Sequence, residues 1–334
     1  MSGGRSLILG IETSCDDTCA AVVSDAGEIR SNVISSQGIH DRYGGVVPEV
    51  AARRHLELVN VVVDDALRRA DATLDDLGRI AVTQGPGLVG ALLIGLATAK
   101  GLAAAGGLPL CAVDHLQGHV SANFLEPAPF EPPFLCLIAS GGHTFLAHVR
   151  DHTSFEVLGA TLDDAAGEAF DKGARMLGLP FPGGPAVQRL AAEGDASAFD
   201  FPLAAGVPGL DFSFAGLKTS LLYRIRDLGE AEAARRRADL AASYQRAIVE
   251  ALALRVERAL VQTGLRRLAI GGGVAANAAL RERLGTLGVE LAVPPIDLCT
   301  DNAAMIAGAA RFVEPLTGAG ALALDAYATG QRGL

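Results

Sequence analysis

Short apolar runs alternate with small polar turns along the chain. Residues 7–11 are apolar, a polar turn follows, and residues 20–23 are apolar again, which predicts a strand–turn–strand unit. The same pattern returns at Phe134–Ala139 and residues 145–149, again around a small polar turn. Two such hairpins, each followed by helical segments, indicate an internal duplication and an α/β architecture.

The segments between the hairpins predict how the lobes are divided. Pro48–Arg69 has the apolar spacing of a helix. Residues 124–133 contain four prolines, which is typical of a crossover between lobes. We therefore expect a first lobe of residues 1–130 with about 305–334, and a second lobe of residues 131–304.

The longest apolar stretch and the cysteines bear on where the protein resides. Residues 88–99 are twelve apolar or small residues followed by Lys100. A membrane-spanning helix needs about 20 such residues, so this stretch predicts a buried helix and no membrane association. The five cysteines are scattered and odd in number, which favours reduced thiols. Since the N-terminus lacks a signal-peptide pattern, we expect a cytoplasmic protein.

The net charge argues against a generic nucleic-acid binder. The 334 residues include 28 basic and 38 acidic side chains, for a formal charge of −10. Proteins that bind nucleic acids through their own surface are usually basic. Any contact with RNA must therefore use a local basic patch or a partner protein.

Two histidines one helical turn apart form a candidate metal site. His115 and His119 stand at i and i+4, on one face of a helix, and Asp301 is a candidate third ligand. Two histidines with one carboxylate leave coordination positions open and suit iron(II) or zinc. Leu116 stands where a His-Glu-x-x-His protease has its general base. On local grounds, ordinary solvated or capping histidines are an equal alternative, and Asp301 fits a helix N-cap.

Glycine-rich turns are candidate sites for an adenylate. Ser140, Gly141 and Gly142 form a turn between predicted strands, and residues 85–87 and 271–273 precede predicted helices. Backbone N–H groups in such turns approach anions closely, and three glycines leave room for a purine. Residues 271–273 lack both the dinucleotide-binding spacing and a Walker lysine. The alternative is that these glycines serve tight helix–strand packing.

One carboxylate near a turn rich in proline and glycine is a candidate ribose ligand. Asp171 is followed by residues 178–184, which contain two prolines and three glycines. The alternative, which the local sequence favours, is an ion pair with Lys172 or Lys218.

A series of short motifs, taken together, resembles one enzyme family. The motifs are GIETSCDDT (residues 10–18), GGVVPE (44–49), QGPGL (84–88), DHLQGH (114–119), SGGHT (140–144), FSF (212–214) and GLKT (216–219). The set closely resembles the tRNA N6-adenosine threonylcarbamoyltransferase family, once called glycoproteases, from residue 7 to about residue 312. The resemblance implies an α/β, two-lobed, duplicated fold of the actin-like ATPase class, shared with sugar kinases and heat-shock ATPases.

The resemblance also implies a reaction and its ligands. Members transfer the threonylcarbamoyl group of threonylcarbamoyl-AMP to the N6 amine of the adenosine beside the anticodon, in tRNAs that read codons beginning with A. One divalent metal, with iron(II) favoured over zinc, would be held by His115, His119 and Asp301. The family's adenylate contacts fall on Ile138, Ala139, Ser140, Gly141, Gly142, Asp171, Gly184 and Asn277.

At two positions the chain is similar to the bacterial branch of the family. Ile138 stands where the archaeal and eukaryotic branch has a tyrosine metal ligand, and His143 stands where that branch has asparagine. The bacterial branch works with a paralogous inactive partner and a small ATPase. These partners would supply the tRNA surface that an acidic chain lacks. Within the chain, the Arg53-Arg54 pair is the arginine cluster that we expect to contact tRNA.

The resemblance leaves the proton acceptor open. In the implied reaction the metal is a Lewis acid toward the threonyl carboxylate and the carbamoyl oxygen, the adenylate leaves, and the attacking amine loses a proton. Asp16 and Asp17, in the first hairpin turn, are the candidates for the general base. Turn formation is their alternative role.

Two other functional classes stay open from the sequence. A metalloprotease is suggested by the paired histidines and opposed by Leu116. A non-catalytic ATP-binding module of the same fold needs no metal, and it would leave His115, His119 and Asp301 unexplained.

Overall fold

A computed structural model describes residues 6–43, 45–203 and 206–328 of the chain. Gly44 of the 44–49 motif, and both ends of the predicted first lobe, lie outside the described residues. The chain divides into two compact units, Met1–Glu131 with Asp301–Leu334, and Pro132–Thr300.

Strands and helices alternate through the described residues. The strands are β1 (Leu7–Glu12), β2 (Asp17–Ser24), β3 (Ile29–Ser36), β4 (Leu77–Gly85), β5 (Leu110–Asp114), β6 (Phe134–Ala139), β7 (Thr144–Val149), β8 (Phe155–Ala160), β9 (Arg267–Gly271) and β10 (Glu290–Ala292). The helices are α1 (Pro48–Arg69), α2 (Val89–Gly106), α3 (His115–Ser121), α4 (Ala166–Met176), α5 (Gly183–Ala191), α6 (Ala215–Arg235), α7 (Arg237–Thr263), α8 (Ala278–Gly285), α9 (Ile296–Cys299), α10 (Ala303–Ala309) and α11 (Gly318–Leu322). Short 3-10 helices lie at Gly38–Tyr43, Leu74–Asp76, Ala122–Phe124 and Gly273–Ala276.

The first unit is built on a sheet in the order β3-β2-β1-β4-β5. Strands β1, β2 and β3 are antiparallel neighbours, whereas β4 and β5 run parallel to β1. β1 is buried on both faces after its first residue, which accounts for its unbroken apolar run. Helices α1 and α2 pack on this sheet and on each other, and α10 packs on β1, β2 and α3.

The second unit repeats this arrangement in its own sheet. Its order is β10-β9-β6-β7-β8, with β6, β7 and β8 antiparallel and with β9 and β10 parallel to β6. β1 and β6 are the central strands of their sheets. On one side of each, two strands continue the sheet in antiparallel pairs, and on the other side two strands continue it in parallel pairs, so the two sheets have the same strand order and directions. The duplication predicted from the two hairpins is therefore confirmed at the level of topology.

Local sequence explains several helix boundaries. α1 has proline in its first turn, where the missing N–H costs no hydrogen bond. α2 and α7 end at Gly107 and Gly264, both in the left-handed conformation that glycine adopts without strain. Helix α6 gives way to α7 at Arg236, which is not helical.

Helix α2 is apolar and long enough to cross a membrane by length and composition, and 33% of it is buried. Its buried side chains, among them Leu92 and Leu96, lie on one face. The prediction of a buried helix is thus correct for that face, while Val89 and Leu93 are exposed. A core helix meets the same criterion, so this is weak support for a membrane span.

Candidate active site

The paired histidines lie on α3, directly after β5. Asp114 is the N-cap of this helix, as its sequence position suggests, and its carboxylate accepts hydrogen bonds from Leu116 N and Gln117 N. His115 and His119 are both buried, and their ring centroids are 4.7 Å apart. The helix therefore presents two imidazoles on one side, one turn apart.

Asp301 completes a three-residue cluster with these histidines. Its Oδ1 lies 3.6 Å from His115 Nε2 and 3.3 Å from His119 Nε2. One donor atom from each of the three residues lies within 4.8 Å of the others. The alternative role for Asp301 is wrong, because the N-cap of α10 is Asn302, whose side chain accepts a hydrogen bond from Met305 N.

The donors fit a divalent metal. Within the described residues, neither ring nitrogen of His119 has a hydrogen-bond partner, although the side chain is 1% exposed. A buried imidazole without such a partner is costly, and coordination by Nε2 would satisfy one of its nitrogens. Two imidazoles and one carboxylate are the donor types that zinc and iron(II) accept.

Glu12 is a site residue that the sequence reasoning missed. It is fully buried at the end of β1, and its Oε2 lies 2.9 Å from His115 Nδ1 and 2.6 Å from the donating Thr83 Oγ1. Its Oε1 accepts a hydrogen bond from Ser14 N. The contact between Glu12 and His115 Nδ1 orients the imidazole so that Nε2 faces Asp301. The available signal was an acidic residue closing an otherwise apolar strand.

Glu12 and His115 shift each other's pKa. Burial alone would lower the pKa of His115, but the negative charges of Glu12 and Asp301 outweigh it and raise that pKa to about 9. Burial would raise the pKa of Glu12, yet His115 and the hydrogen bond from Thr83 hold it below its ordinary value. The pair without metal is therefore a carboxylate facing an imidazolium.

The first hairpin turn carries Asp16 and Asp17 in the same unit. Asp17 is half-buried and begins β2. Burial is the main cause that raises its pKa to about 7, and the negative charges of Asp301, Asp16 and Glu12 act in the same direction. A carboxyl group with a pKa near 7 suits proton transfer at neutral pH.

Helix α1 anchors this turn through a buried histidine. His55 is fully buried, with Nδ1 2.9 Å from Thr18 Oγ1 and Nε2 3.0 Å from Cys15 O. Burial lowers its pKa. His55 therefore acts as a neutral imidazole that donates to the Cys15 carbonyl and holds the turn in place.

The second hairpin turn is formed by glycines in the other unit. Ser140 N donates to His143 O at 2.8 Å, and Ser140 Oγ accepts from His143 N at 3.0 Å. Gly141 and Gly142 are exposed, and a side chain at either would meet no neighbour within 4 Å. The turn is thus closed at its base and open at its tip.

Ile138 and Ala139 lie within β6 and have fully or almost fully buried side chains. Any contact with a substrate must therefore use their backbone. Ile138 has no polar side-chain atom to offer to a metal.

Asp171 pairs with no lysine among the residues that the structure describes. Its Oδ1 accepts a hydrogen bond from Gly183 N at 2.7 Å, while Lys172 pairs with Asp164 and Glu168. Burial raises the pKa of Asp171. The ion pair with Lys172 is therefore wrong, and the carboxylate instead anchors the first turn of α5, which carries the open Gly184.

Asn277 and the 271–273 turn have structural roles. The Asn277 carboxamide caps α8 by accepting from Leu280 N, and its nitrogen donates to Gln245 Oε1 at 2.9 Å. Gly272 has φ 81°, and a side chain there would overlap the Ala139 backbone. Tight packing thus accounts for Gly272, whereas a side chain at Gly273 would meet only the Thr300 methyl group, at 3.9 Å.

Comparison with known proteins identifies the family. The family model described as tRNA N6-adenosine threonylcarbamoyltransferase matches residues 28–308. The chain belongs to this family. A relative of that name from Clostridium botulinum is 51% identical over 311 residues, which cover 91% of this chain and 92% of the relative.

Solved structures of low sequence identity share the fold alone. Component A of the Acidaminococcus fermentans (R)-2-hydroxyglutaryl-CoA dehydratase has a TM-score of 0.57 at 18% identity, covering 92% of this chain and 97% of its own. Full-length HypF in its phosphate- and nucleotide-bound form has a TM-score of 0.59 at 14% identity, and the match covers 92% of this chain and 55% of HypF. The predicted actin-like α/β fold is confirmed.

Family membership also confirms the predicted enzyme class. The chain is a transferase of tRNA modification, and neither the protease nor the non-catalytic module is favoured. The family and the His115–His119–Asp301 cluster together support a bound metal, without fixing which metal it is.

Proposed function

We propose that the chain transfers the threonylcarbamoyl group from threonylcarbamoyl-AMP to the N6 amine of the adenosine beside the anticodon, in tRNAs that read codons beginning with A. In this step a bond forms between N6 and the carbamoyl carbon. The bond from that carbon to the phosphate oxygen breaks, AMP leaves, and the amine loses one proton. The observation that carries the proposal is the cluster of buried His115 and His119 with the half-buried Asp301 in a member of this family.

The adenylate would be held by the second unit. The tip of the 140–143 turn is open, so its backbone N–H groups can approach an anion without a side chain in the way. Gly184 offers similar open surface, and Gly273 has only the Thr300 methyl group nearby. Asp171 is fixed by Gly183 N and keeps a second carboxylate oxygen, which suits a ribose hydroxyl. Asn277 would contact the adenylate from its capping position, and Ile138 and Ala139 through their backbone.

The metal would be held by His115 Nε2, His119 Nε2 and Asp301, and we favour iron(II) over zinc. When bound, a divalent metal supplies Lewis acidity toward carboxylate and carbonyl oxygens. Glu12 would keep the proton of neutral His115 on Nδ1, which leaves Nε2 as the donor. These side chains thus present a preformed donor set on short, buried elements.

The proton from the amine would pass to the first hairpin turn. Asp17 is the better candidate of the two aspartates, because its pKa of about 7 lets it accept a proton at neutral pH. Asp16 would help to position the amine. His55 fixes the backbone of this turn through Cys15 O and Thr18 Oγ1.

Recognition of tRNA would need partner proteins in the cytoplasm. The chain has a net charge of −10, which opposes a polyanion. The Arg53-Arg54 pair is exposed, but Arg53 pairs with Glu49 at 2.8 Å and Arg54 with Glu57 at 2.6 Å. This patch is therefore electrically balanced, which supports a tRNA surface completed by a paralogous inactive partner and a small ATPase.

The test is a reconstituted transfer reaction. The purified chain is incubated with threonylcarbamoyl-AMP and unmodified tRNA, with and without the two partners, and the modified nucleoside is measured by mass spectrometry. We expect product with partners and weak tRNA binding without them. A complete system that makes no product, or a chain that cleaves casein instead, would contradict the proposal. Tight, salt-resistant tRNA binding by the chain alone would remove the need for partners.

A further inference from the structure

The C-terminal strap, defined as residues 324–327, is pinned to the end of β4 in the first unit. Gln84 Nε2 donates to Asp325 O at 2.7 Å, and Tyr327 N donates to Gln84 O at 3.2 Å. Gly85 makes this approach possible, because a side chain there would overlap the Tyr327 carbonyl and ring. The path of the strap is thus set by a pair of hydrogen bonds and one required glycine.

A further contact holds the start of the strap. Lys100 Nζ, on α2, donates to Leu324 O. The strap therefore joins α2 to the carboxyl end of β4, the edge at which β5 and α3 also meet.

The side chain of Tyr327 reaches the helix that carries the histidines. It is 8% exposed, and its hydroxyl donates to Asp114 Oδ2. The other oxygen of Asp114 accepts from Leu116 N at 2.8 Å and from Gln117 N at 3.1 Å. One carboxylate thus links the strap to the first turn of α3.

We propose that Tyr327 is a positioning residue, which fixes the Asp114 cap and through it the direction of His115 and His119. Helix α3 has seven residues, too few to be stable through its own hydrogen bonds. His115 is its first residue and follows Asp114 directly. A rotation of the cap would therefore move the His115 backbone with it.

The inference rests on the proposed role of His115, His119 and Asp301 as metal ligands. Its test uses Tyr327→Phe, which removes only the hydroxyl, and Tyr223→Phe in the second unit as the matched control. A chain ending at Leu324 removes most of the strap, and a chain ending at Ala328 keeps it. Hydrogen exchange at the α3 amides and a cobalt(II) titration are measured for each protein.

In Tyr327→Phe and in the chain ending at Leu324, we expect the Leu116 and Gln117 amides to exchange about fivefold faster and cobalt(II) to bind about fivefold more weakly. Tyr223→Phe and the chain ending at Ala328 should match wild type in both measurements. Unchanged exchange and unchanged affinity in Tyr327→Phe would overturn the proposal, and so would an unchanged chain ending at Leu324. If wild type binds no cobalt(II), zinc or iron(II), the metal role fails, and the exchange data alone then decide whether Tyr327 fixes the cap.

Discussion

The two hairpin turns occupy equivalent places in sheets of the same strand order, yet they carry opposite chemistry. The β1–β2 turn follows the buried Glu12, contains Asp16 and Asp17, and belongs to the unit of His115 and Asp301. The β6–β7 turn contains no carboxylate in residues 140–143 and has two open glycines at its tip.

The contrast shows that two units with the same fold can present different chemical groups. Carboxylates and imidazoles attract cations, whereas a turn without side chains exposes N–H groups to anions. The backbone frame is therefore common to both units, and we expect a few side chains to decide what each unit binds.

Removing a histidine should abolish metal binding. His119→Ala deletes one of the three donors, so we expect metal content to fall from about one ion per chain to nearly none. The measurement is metal analysis after purification, with His152→Ala of the second unit as the control. Full metal content in a folded His115→Ala/His119→Ala double variant would rule out this cluster.

Asp17→Asn should slow the transfer about 100-fold at pH 8. In wild type the rate should rise as the pH passes through about 7, because the pKa of the Asp17 carboxyl is raised to about 7 and the base works when ionised. The variant should lack this inflection. Rates are measured from pH 5.5 to 9 in the complete system, and an unchanged profile in the variant would exclude Asp17 as the base.

The raised pKa of Asp17 also determines how the free energy of unfolding changes with pH. In the folded protein the pKa of Asp17 lies above its ordinary value of 3.8. The protonated carboxyl therefore contributes its full stabilisation below pH 3.8, and this stabilisation is lost as the pH rises through about 7. Asp17→Asn should therefore become more stable relative to wild type as the pH rises from 5 to 9, in the metal-free protein. An aspartate with an ordinary or lowered pKa would be ionised in both the folded and the unfolded state over this range and would show no such trend.

Glu12→Gln should weaken metal binding about 10-fold to 100-fold, because the amide loses the charge that holds the Nδ1 proton of His115. Competition titration with a chelator measures the affinity. Thr83→Val, which removes a hydrogen-bond donor to Glu12 and leaves the carboxylate, should have a smaller effect. Equal affinity in Glu12→Gln and wild type would show that the contact does not orient the ligand.

Gly184→Val should weaken AMP binding about tenfold, because its side chain would fill the open surface beside Asp171. Gly216→Val, on another open glycine of the second unit, is the matched control for calorimetry. Gly272→Val is unsuitable, since it should destabilise the fold through the overlap with Ala139. Undiminished binding in Gly184→Val would remove Gly184 from the site.

Periodicity predicted the hairpins and α1 but missed β3 and β8, the antiparallel edge strand of each sheet. β3 mixes Arg30, Ser31 and Asn32 with apolar residues, and β8 is only partly buried, so neither has an unbroken apolar run. Their pairing with β2 and β7 supplies what their own sequences do not specify.

The candidate site shows the same limit. The i and i+4 spacing placed His115 and His119 on one face, but Asp301 fitted a helix N-cap as well as a metal ligand. Only the tertiary structure assigns the cap to Asn302 and turns Asp301 toward the histidines. Glu12 and Tyr327 act through residues more than 100 positions away, which no local pattern reports.

The division of labour is tested most directly by titrating zinc and AMP separately into wild type, His119→Ala and Gly184→Val. His119→Ala should lose zinc binding and keep the wild-type affinity for AMP. Gly184→Val should bind AMP about tenfold more weakly and keep the wild-type affinity for zinc. If folded His119→Ala retains zinc, or if folded Gly184→Val retains full AMP affinity, the assignment of cation to the first unit and adenylate to the second is contradicted.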